Sequence, residues 1–438
     1  MSGSANRRDF LKATTLTGLG FWAAGGVEAK ESKSPNEKLH IGVIGAGGKG
    51  YSDMRGVASE NIYALCDVDD GQGARARKDQ PKAKWYKDYR ELLEKEAKNL
   101  DAVTVSTPDH SHAPATMMAM KLGLGSYTQK PLTRTVYEAR LLRETANKYN
   151  VATQMGNQGT SNTGLRRAAE VVQSGGIGDV REVHVWTNRP IWPQGVARPK
   201  KADAVPANLD WNLWLGPAAE RPYSGQYCPF SWRGWWDFGT GALGDMACHT
   251  CNLPFMALKL EYPTSIEATT TPFNRDSFPM ASRIKYEFPA RGAMPPLTMY
   301  WYDGGLKPFS DLFMGERPSS TGSLLVGDKG TLFSPGDYGS SFKLLPHKHF
   351  QGFEGPKPWI ERSIGHYREW IRAIKTGNEH RAMSNFDYAA LLTESILLGN
   401  IAMAVGKPIQ YDGPNMKVTN VKEANNYLHY EYRKGWTL

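Results

Sequence analysis

The chain has 438 residues, 40% of them hydrophobic and 22% charged, which exceeds the ~250–300 residues one core supports and predicts two or three domains. That apolar fraction excludes a disordered or fibrous chain, and the 45 Gly and 27 Pro follow no collagen-like period. The net charge of +9 is spread as isolated Lys and Arg among 44 acidic residues, which argues against nucleic acid as a partner and for anionic or neutral polar ligands.

At the N-terminus, Asn6-Arg7-Arg8-Asp9-Phe10-Leu11-Lys12 precedes a mildly apolar stretch and then Val27-Glu28-Ala29. Paired arginines with Phe-Leu at that offset match a twin-arginine export signal over residues 1–29, followed by a polar linker over 30–38. A periplasmic or otherwise exported location is expected. Such signals carry proteins already folded, so any cofactor must be tightly held or supplied outside. Beyond this segment no apolar run reaches the ~18 residues of a membrane span, and no membrane insertion of the mature chain is expected.

His40-Ile41-Gly42-Val43-Ile44 reads as a strand, followed at once by Gly45-Ala46-Gly47-Gly48-Lys49-Gly50 and a helical pattern. A second strand runs through Ile62-Tyr63-Ala64-Leu65-Cys66 and ends at Asp67. An acid about 20 residues past the first glycine is where a nucleotide-binding crossover accepts the adenosine ribose hydroxyls. Gly45 permits the tight turn, Gly47 lets backbone N–H groups near a pyrophosphate, and Gly50 allows close helix–strand packing. The Asp67 carboxylate repels a 2′-phosphate, so NAD is favoured over NADP, although Arg75 and Arg77 follow closely.

Alternating strands and helices continue through Val103-Thr104-Val105, a helix over 113–122, Gly125-Ser126-Tyr127, a helix over 137–149 and Thr153-Gln154-Met155. They predict a doubly wound parallel α/β sheet over 39–156. Ligand-facing residues fall past the strand ends, at Thr107-Pro108-Asp109-His110-Ser111-His112 and Gln129-Lys130-Pro131. From Gly178 the period becomes two, with Gly327-Asp328-Lys329-Gly330 as a hairpin turn. Residues 157–438 are therefore expected to form an α+β domain with a large, mostly antiparallel sheet for substrate binding and oligomerisation. Cys248-His249-Thr250-Cys251 has the spacing of a metal half-site, but a second pair is missing. Two small buried residues on one helix face explain it, and no metal is expected.

These motifs, with Gly241-Ala242-Leu243-Gly244-Asp245-Met246-Ala247-Cys248-His249, resemble the glucose–fructose oxidoreductase/inositol dehydrogenase/rhizopine catabolism family over about 39–408. The resemblance implies an NAD(P)-dependent enzyme in which Lys130, Asp245 and His249 line the reacting carbon. It also implies a homodimer or homotetramer formed through the C-terminal sheet. Asp245 and His249, four apart, share a helix face. His249 is read as principal acid/base, Lys130 as hydroxyl polariser, and Asp245 as orienter. Gly45, Gly47, Gly48, Lys49, Gly50, Asp67, Thr107, Pro108, His112 and Gln129 are the cofactor-binding candidates, with His112 bordering the nicotinamide. The family usually has Glu-Lys-Pro where this chain has Gln129-Lys130-Pro131. That change removes a negative charge beside Lys130 and is expected to ease its proton exchange.

Seven of the 13 Trp fall between 186 and 236, among Pro, Gly and Arg that argue for a long structured loop. Indole faces bury the apolar side of a sugar ring, so a carbohydrate substrate is expected. Trp232, Arg233, Tyr300 and Arg189, together with Asn157, are its candidate contacts. The leading reading is an exported NAD-dependent oxidoreductase acting on a sugar or sugar derivative. The alternatives are a redox-neutral NAD-dependent glycosidase, as some of the resembled family are, and a non-catalytic sugar-binding protein.

Overall fold

The structure is a computed structural model and describes residues 37–438. The export signal expected over 1–29, and all but the last two residues of the 30–38 linker, lie outside the described residues.

The first part alternates strand and helix: β1 (His40–Ile44), α1 (Gly48–Gly56), β2 (Asn61–Cys66), α2 (Asp70–Asp79), β3 (Lys84–Tyr86), α3 (Tyr89–Glu96), β4 (Ala102–Val105), α4 (Asp109–Lys121), β5 (Gly125–Thr128), α5 (Val136–Tyr149) and β6 (Thr153–Met155). The six strands are all parallel, in the order β3-β2-β1-β4-β5-β6. Parallel strands joined by helices are covered on both faces, which is why β4 and β5 are buried end to end. Helix α5 starts at a reciprocal Thr135–Glu138 capping box and stops at Asn150 in the left-handed region. The strand order reverses between β1 and β4, and their C-terminal ends open the crevice in which such sheets hold ligands.

The second part begins with α6 (Thr163–Gln173), β7 (Val180–Trp186), α7 (Trp211–Leu215), α8 (Gly241–Thr250) and α9 (Asn252–Leu258). Then follow β8 (Ser265–Thr270), β9 (Ser282–Phe288), β10 (Leu297–Tyr302), β11 (Gly322–Gly327), β12 (Thr331–Pro335) and β13 (Lys343–Leu345). Helices α10 (His366–Lys375) and α11 (Phe386–Val405) precede β14 (Ile409–Asp412) and β15 (Lys417–Val418). The nine strands run β13-β12-β11-β7-β10-β9-β8-β14-β15, antiparallel throughout except for β7 beside β10. The expected combination of a parallel α/β sheet with a mostly antiparallel one is therefore the observed architecture. Along β9, Ser282, Ile284, Tyr286 and Phe288 are buried while Arg283, Lys285 and Glu287 face outward.

One core joins the two sheets. It runs from Met117 and Leu142 on the N-terminal helices through Leu243 and Leu398 to Ile284 and Trp301 of the large sheet. Helix α11 is long and apolar enough to cross a membrane, yet here it lies buried among α5, α8 and β8. Packing also crosses the boundary expected at residue 156. Trp370 and Ile371 of α10 cluster with Leu39, Ile41, Ala102 and Tyr127 of the N-terminal sheet, and Trp370 Nε1 donates to the Ala152 carbonyl at 3.2 Å. A helix late in the chain thus covers a face of the first sheet.

Because Trp370 is fully buried, Trp370→Ala should destabilise the protein by about 3–5 kcal/mol. A denaturant titration reads this as a lower midpoint, with NADH affinity of the still-folded protein unchanged.

Candidate active site

The glycine loop is built by backbone packed on backbone. Gly45 has φ +80°, and a Cβ there would fall 2.6 Å from the Ser106 carbonyl oxygen. A Cβ on Gly50 would meet the Gly45 carbonyl oxygen at 1.6 Å, so α1 reaches the strand only because position 50 has no side chain. The N–H groups of Gly45 and Ala46 donate to the Cys66 carbonyl, at 2.8 and 3.2 Å. Helices α1 and α4 both begin at this crevice without a side-chain cap, and helix N-termini of this kind favour anions. Asp67 accepts from Gly47 N at 2.9 Å and from Asp69 N at 3.0 Å. Burial, only partly offset by those bonds, pushes its carboxyl up to about 6.

A single cavity of about 740 Å³ runs from this loop to the second domain. Gly45, Gly47, Gly48, Lys49, Asp67, Thr107, Pro108, His112 and Gln129 line one end. Lys130, Arg189, Trp232, Arg233, Asp245 and His249 line the other, with Gly50 packed behind the wall. A larger hollow of about 1320 Å³ around Lys259, Tyr262 and Arg291 contains none of the predicted site residues. The narrower cleft is therefore where chemistry is concentrated.

Lys130 follows β5, and its Nζ donates to Asp245 Oδ1 at 2.6 Å and to the Asp245 carbonyl at 3.2 Å. Arg233 Nε lies 2.8 Å from the same Oδ1 but has no aligned hydrogen bond, so this contact is an ion pair only. Burial works to raise the Asp245 carboxyl, but Arg233 and Lys130 outweigh it and hold the group well below the usual carboxylate range. One helical turn on, His249 is 4% exposed and stands edge-on to the Tyr338 ring, with centroids 4.7 Å apart. Its Nδ1 is buried without a hydrogen-bond partner. Burial, and then the charge of Lys130, push its pKa well below 6.5 against the pull of Asp245. The site therefore places a cation, a carboxylate and a neutral imidazole together.

Two other predicted residues hold the wall. His112 sets its Nδ1 2.8 Å from the Pro131 carbonyl and its Nε2 2.7 Å from the Thr107 carbonyl, which pins both ligand-facing loops together. Burial lowers its pKa while the two carbonyls favour the protonated ring. Gln129 turns its amide toward Asp53, with Nε2 donating to Oδ2 at 2.8 Å. The carboxylate partner of Lys130 is Asp245, so the neutral residue at 129 does not leave the lysine without a counter-charge. Trp232 offers one indole face only, since Arg233 stacks on the other at 4.1 Å.

The structure does not bring Tyr300 or Asn157 into the cleft. Met299 and Trp301 of β10 point into the core, so alternation turns Tyr300 to the opposite face, where its ring stacks on His184 and lies under Arg283. Asn157 is fully buried and braces α8, donating to the Cys248 carbonyl at 3.4 Å and accepting from Ser384. Its neighbour Gln158 lines the cleft instead. Trp192, Asp337 and Tyr338 also line it and were missed by sequence reasoning. Only an aromatic residue inside the turn-rich Gly336-Asp337-Tyr338-Gly339 hinted at the last two. Cys248 and Cys251 are buried free thiols, the former pushed up to about 12 by burial.

Comparison with known proteins gives this arrangement its class. Residues 39–157 match the NAD-binding Rossmann fold of the GFO_IDH_MocA oxidoreductase family, and residues 165–294 match that family's C-terminal alpha/beta domain. The chain belongs to this oxidoreductase family, and its cofactor is NAD. Over 152 residues it is 30% identical to a glycosyl hydrolase family 109 protein of Solibacter usitatus, covering 30% of this chain and 34% of that one. Over 158 residues it is 25% identical to myo-inositol 2-dehydrogenase of Thermotoga maritima, covering 35% and 47%. The matches thus span a third to a half of these relatives' lengths. The WlbA dehydrogenase of Bordetella pertussis, solved with NADH and UDP-GlcNAcA, superposes with TM-score 0.61 at 15% identity, covering 86% of this chain and 99% of that one. At that identity the likeness shows the fold.

The residues present fit a dinucleotide. Two uncapped helix N-termini suit its pyrophosphate, and a carboxylate raised by burial suits a pair of ribose hydroxyl donors. Gly50→Ala should weaken NADH binding by about tenfold or more, measured by fluorescence titration. Because the His249 pKa is depressed, its ring stays neutral through the range where an ordinary histidine protonates. The acid limb of kcat should accordingly lie below pH 6.5.

Proposed function

We propose that this protein is an exported, NAD-dependent oxidoreductase acting on a secondary alcohol of a sugar or sugar derivative. The observation that carries the reading is the single cleft that joins Asp67 and the glycine loop to Lys130, Asp245 and His249. NAD, when bound, supplies the hydride acceptor. The chain supplies the rest. Lys130, anchored on Asp245, donates a charge-assisted hydrogen bond to the substrate hydroxyl and stabilises the oxyanion as its proton leaves. His249 accepts that proton, and with Nδ1 buried, Nε2 is the nitrogen left to do so. Asp245 keeps Lys130 oriented, while Trp192, Trp232 and Tyr338 form an aromatic wall suited to a sugar ring.

The twin-arginine pattern at Arg7 and Arg8 supports export. We further propose that a homodimer or homotetramer forms through the outward face of the large sheet, which carries Arg283 and Tyr300. A second reading is redox-neutral glycoside cleavage, favoured by the glycosyl hydrolase family 109 relative. In it, the Lys130–His249 pair removes the proton beside a transient sugar ketone, and the glycosidic oxygen leaves by elimination and takes up a proton. Water then adds to the double bond so formed, and the ketone carbon regains its hydride, so that no net redox change remains.

A panel of free sugars, myo-inositol and nitrophenyl glycosides, incubated with purified protein and NAD, separates the readings. Net NADH with a keto-sugar product supports the first. Released nitrophenol that requires NAD but leaves no net NADH supports the second. Neither product from any compound overturns both. On the active compound, His249→Asn should lower kcat by about 10²–10⁴-fold while NADH binding persists.

A further inference from the structure

Asp53 lies on α1, six residues after the loop glycine Gly47, with its side chain fully buried. Four donors from four different segments meet it. Lys49 Nζ and Tyr367 Oη each donate to Oδ1 at 2.7 Å, and Ser106 Oγ and Gln129 Nε2 each donate to Oδ2 at 2.8 Å. All four groups can donate, so the carboxylate is saturated as an acceptor, and that is the arrangement in which a buried charge is tolerated. Gln129 passes the constraint on, since its Oε1 accepts from the Lys130 backbone N–H at 3.3 Å. Its amide packs against Gly156, where a Cβ would meet Nε2 at 2.5 Å. A donor is required at position 129. A second carboxylate there would stand 2.8 Å from the first.

We propose that Asp53 is a positioning residue for both ends of the cleft, holding Lys49 of the glycine loop directly and Lys130 through the Gln129 amide. The negative charge of this corner resides at position 53, and the residue at position 129 must be its donor. The two are one unit: neither can be exchanged alone, and exchanging both restores the function. This rests on the dinucleotide reading of the cleft only for its readout.

The charged and titratable groups facing the pair are Lys49 on α1, Tyr127 on β5, His366 and Tyr367 on α10, and Lys130 on the loop of Gln129 itself. Burial holds His366 down at about 3 and both tyrosines above their ordinary value. In Gln129→Glu, two carboxyls share the corner. When they hold one proton between them, the protonated member replaces the amide as donor. When that proton leaves, the pair repels.

The test is NADH affinity by fluorescence titration, with thermal midpoints alongside, for the full protein and the variants Gln129→Glu, Asp53→Asn/Gln129→Glu and Gln129→Met. Gln129→Glu should bind NADH within about threefold of the native chain at about pH 5.5 and about tenfold more weakly at about pH 8. The reciprocal double variant should bind within about threefold of native at both values. Gln129→Met, which removes the donor without adding charge, should show a smaller loss that is flat with pH and keeps this comparison available if the Glu variant folds poorly. On a substrate identified by turnover, kcat should follow the same pattern, since Lys130 moves with Gln129. A pH-independent loss in Gln129→Glu, a double variant no better than the single, or a Met variant matching the Glu variant at every pH would overturn the proposal. Failure of the unmodified protein to bind NADH would instead overturn the dinucleotide reading and is visible before any variant is made.

Discussion

The contact between Lys130 and Asp245, 2.6 Å long and nearly dry, is the interaction on which the rest of this molecule depends. It joins a loop at the end of the parallel sheet to a helix of the second domain, so the site exists only where the two halves meet. A buried pair of this kind contributes little net stability, because desolvation offsets most of the Coulombic gain. Its value here is geometric. The shared core beneath it, running without a break from α5 through α11 to the large sheet, supplies the stability. The ion pair fixes where a charged amine and a neutral imidazole stand relative to each other.

Three aspartates show how environment, not residue type, assigns the work. Asp67 has only backbone N–H partners at the cleft edge, and burial lifts its carboxyl to about 6, which leaves it disposed to take up hydroxyl donors. Asp245 lies between Lys130 and Arg233, and those cations hold it well below the usual carboxylate range. Asp53 is enclosed by four donors and serves as a structural anion between the glycine loop and the lysine loop. The first faces the cofactor, the second the reacting end, and the third the wall between them.

The second domain does more than close the cleft. Arg233 pairs with Asp245 while stacking on Trp232, so the aromatic wall and the charged floor are coupled through one guanidinium. Tyr338, from the loop between β12 and β13, stands edge-on to His249 and helps keep that ring dry. A depressed histidine pKa requires this exclusion of water, and it comes from a segment nearly 90 residues away from the helix that carries the histidine.

Local rules are what the sequence could settle alone. Glycine spacing after a strand, an acid at the end of the next strand and an Asp and His four apart on a helix are short-range patterns whose geometry the backbone dictates. The parallel sheet, the Gly327–Gly330 hairpin and the shared helix face of Asp245 and His249 followed from them, whereas the addition of Lys130 to that pair was implied by the family resemblance. Tyr300 was misplaced because a strand has two faces, and only packing against helices decides which one is inward. Asn157, Tyr338 and the Asp53–Gln129 bond depended on segments distant in the chain reaching one point, as did α10 covering the first sheet. Such meetings follow from register and layer packing between elements. No local periodicity encodes them, and they became definite only when the whole chain was folded.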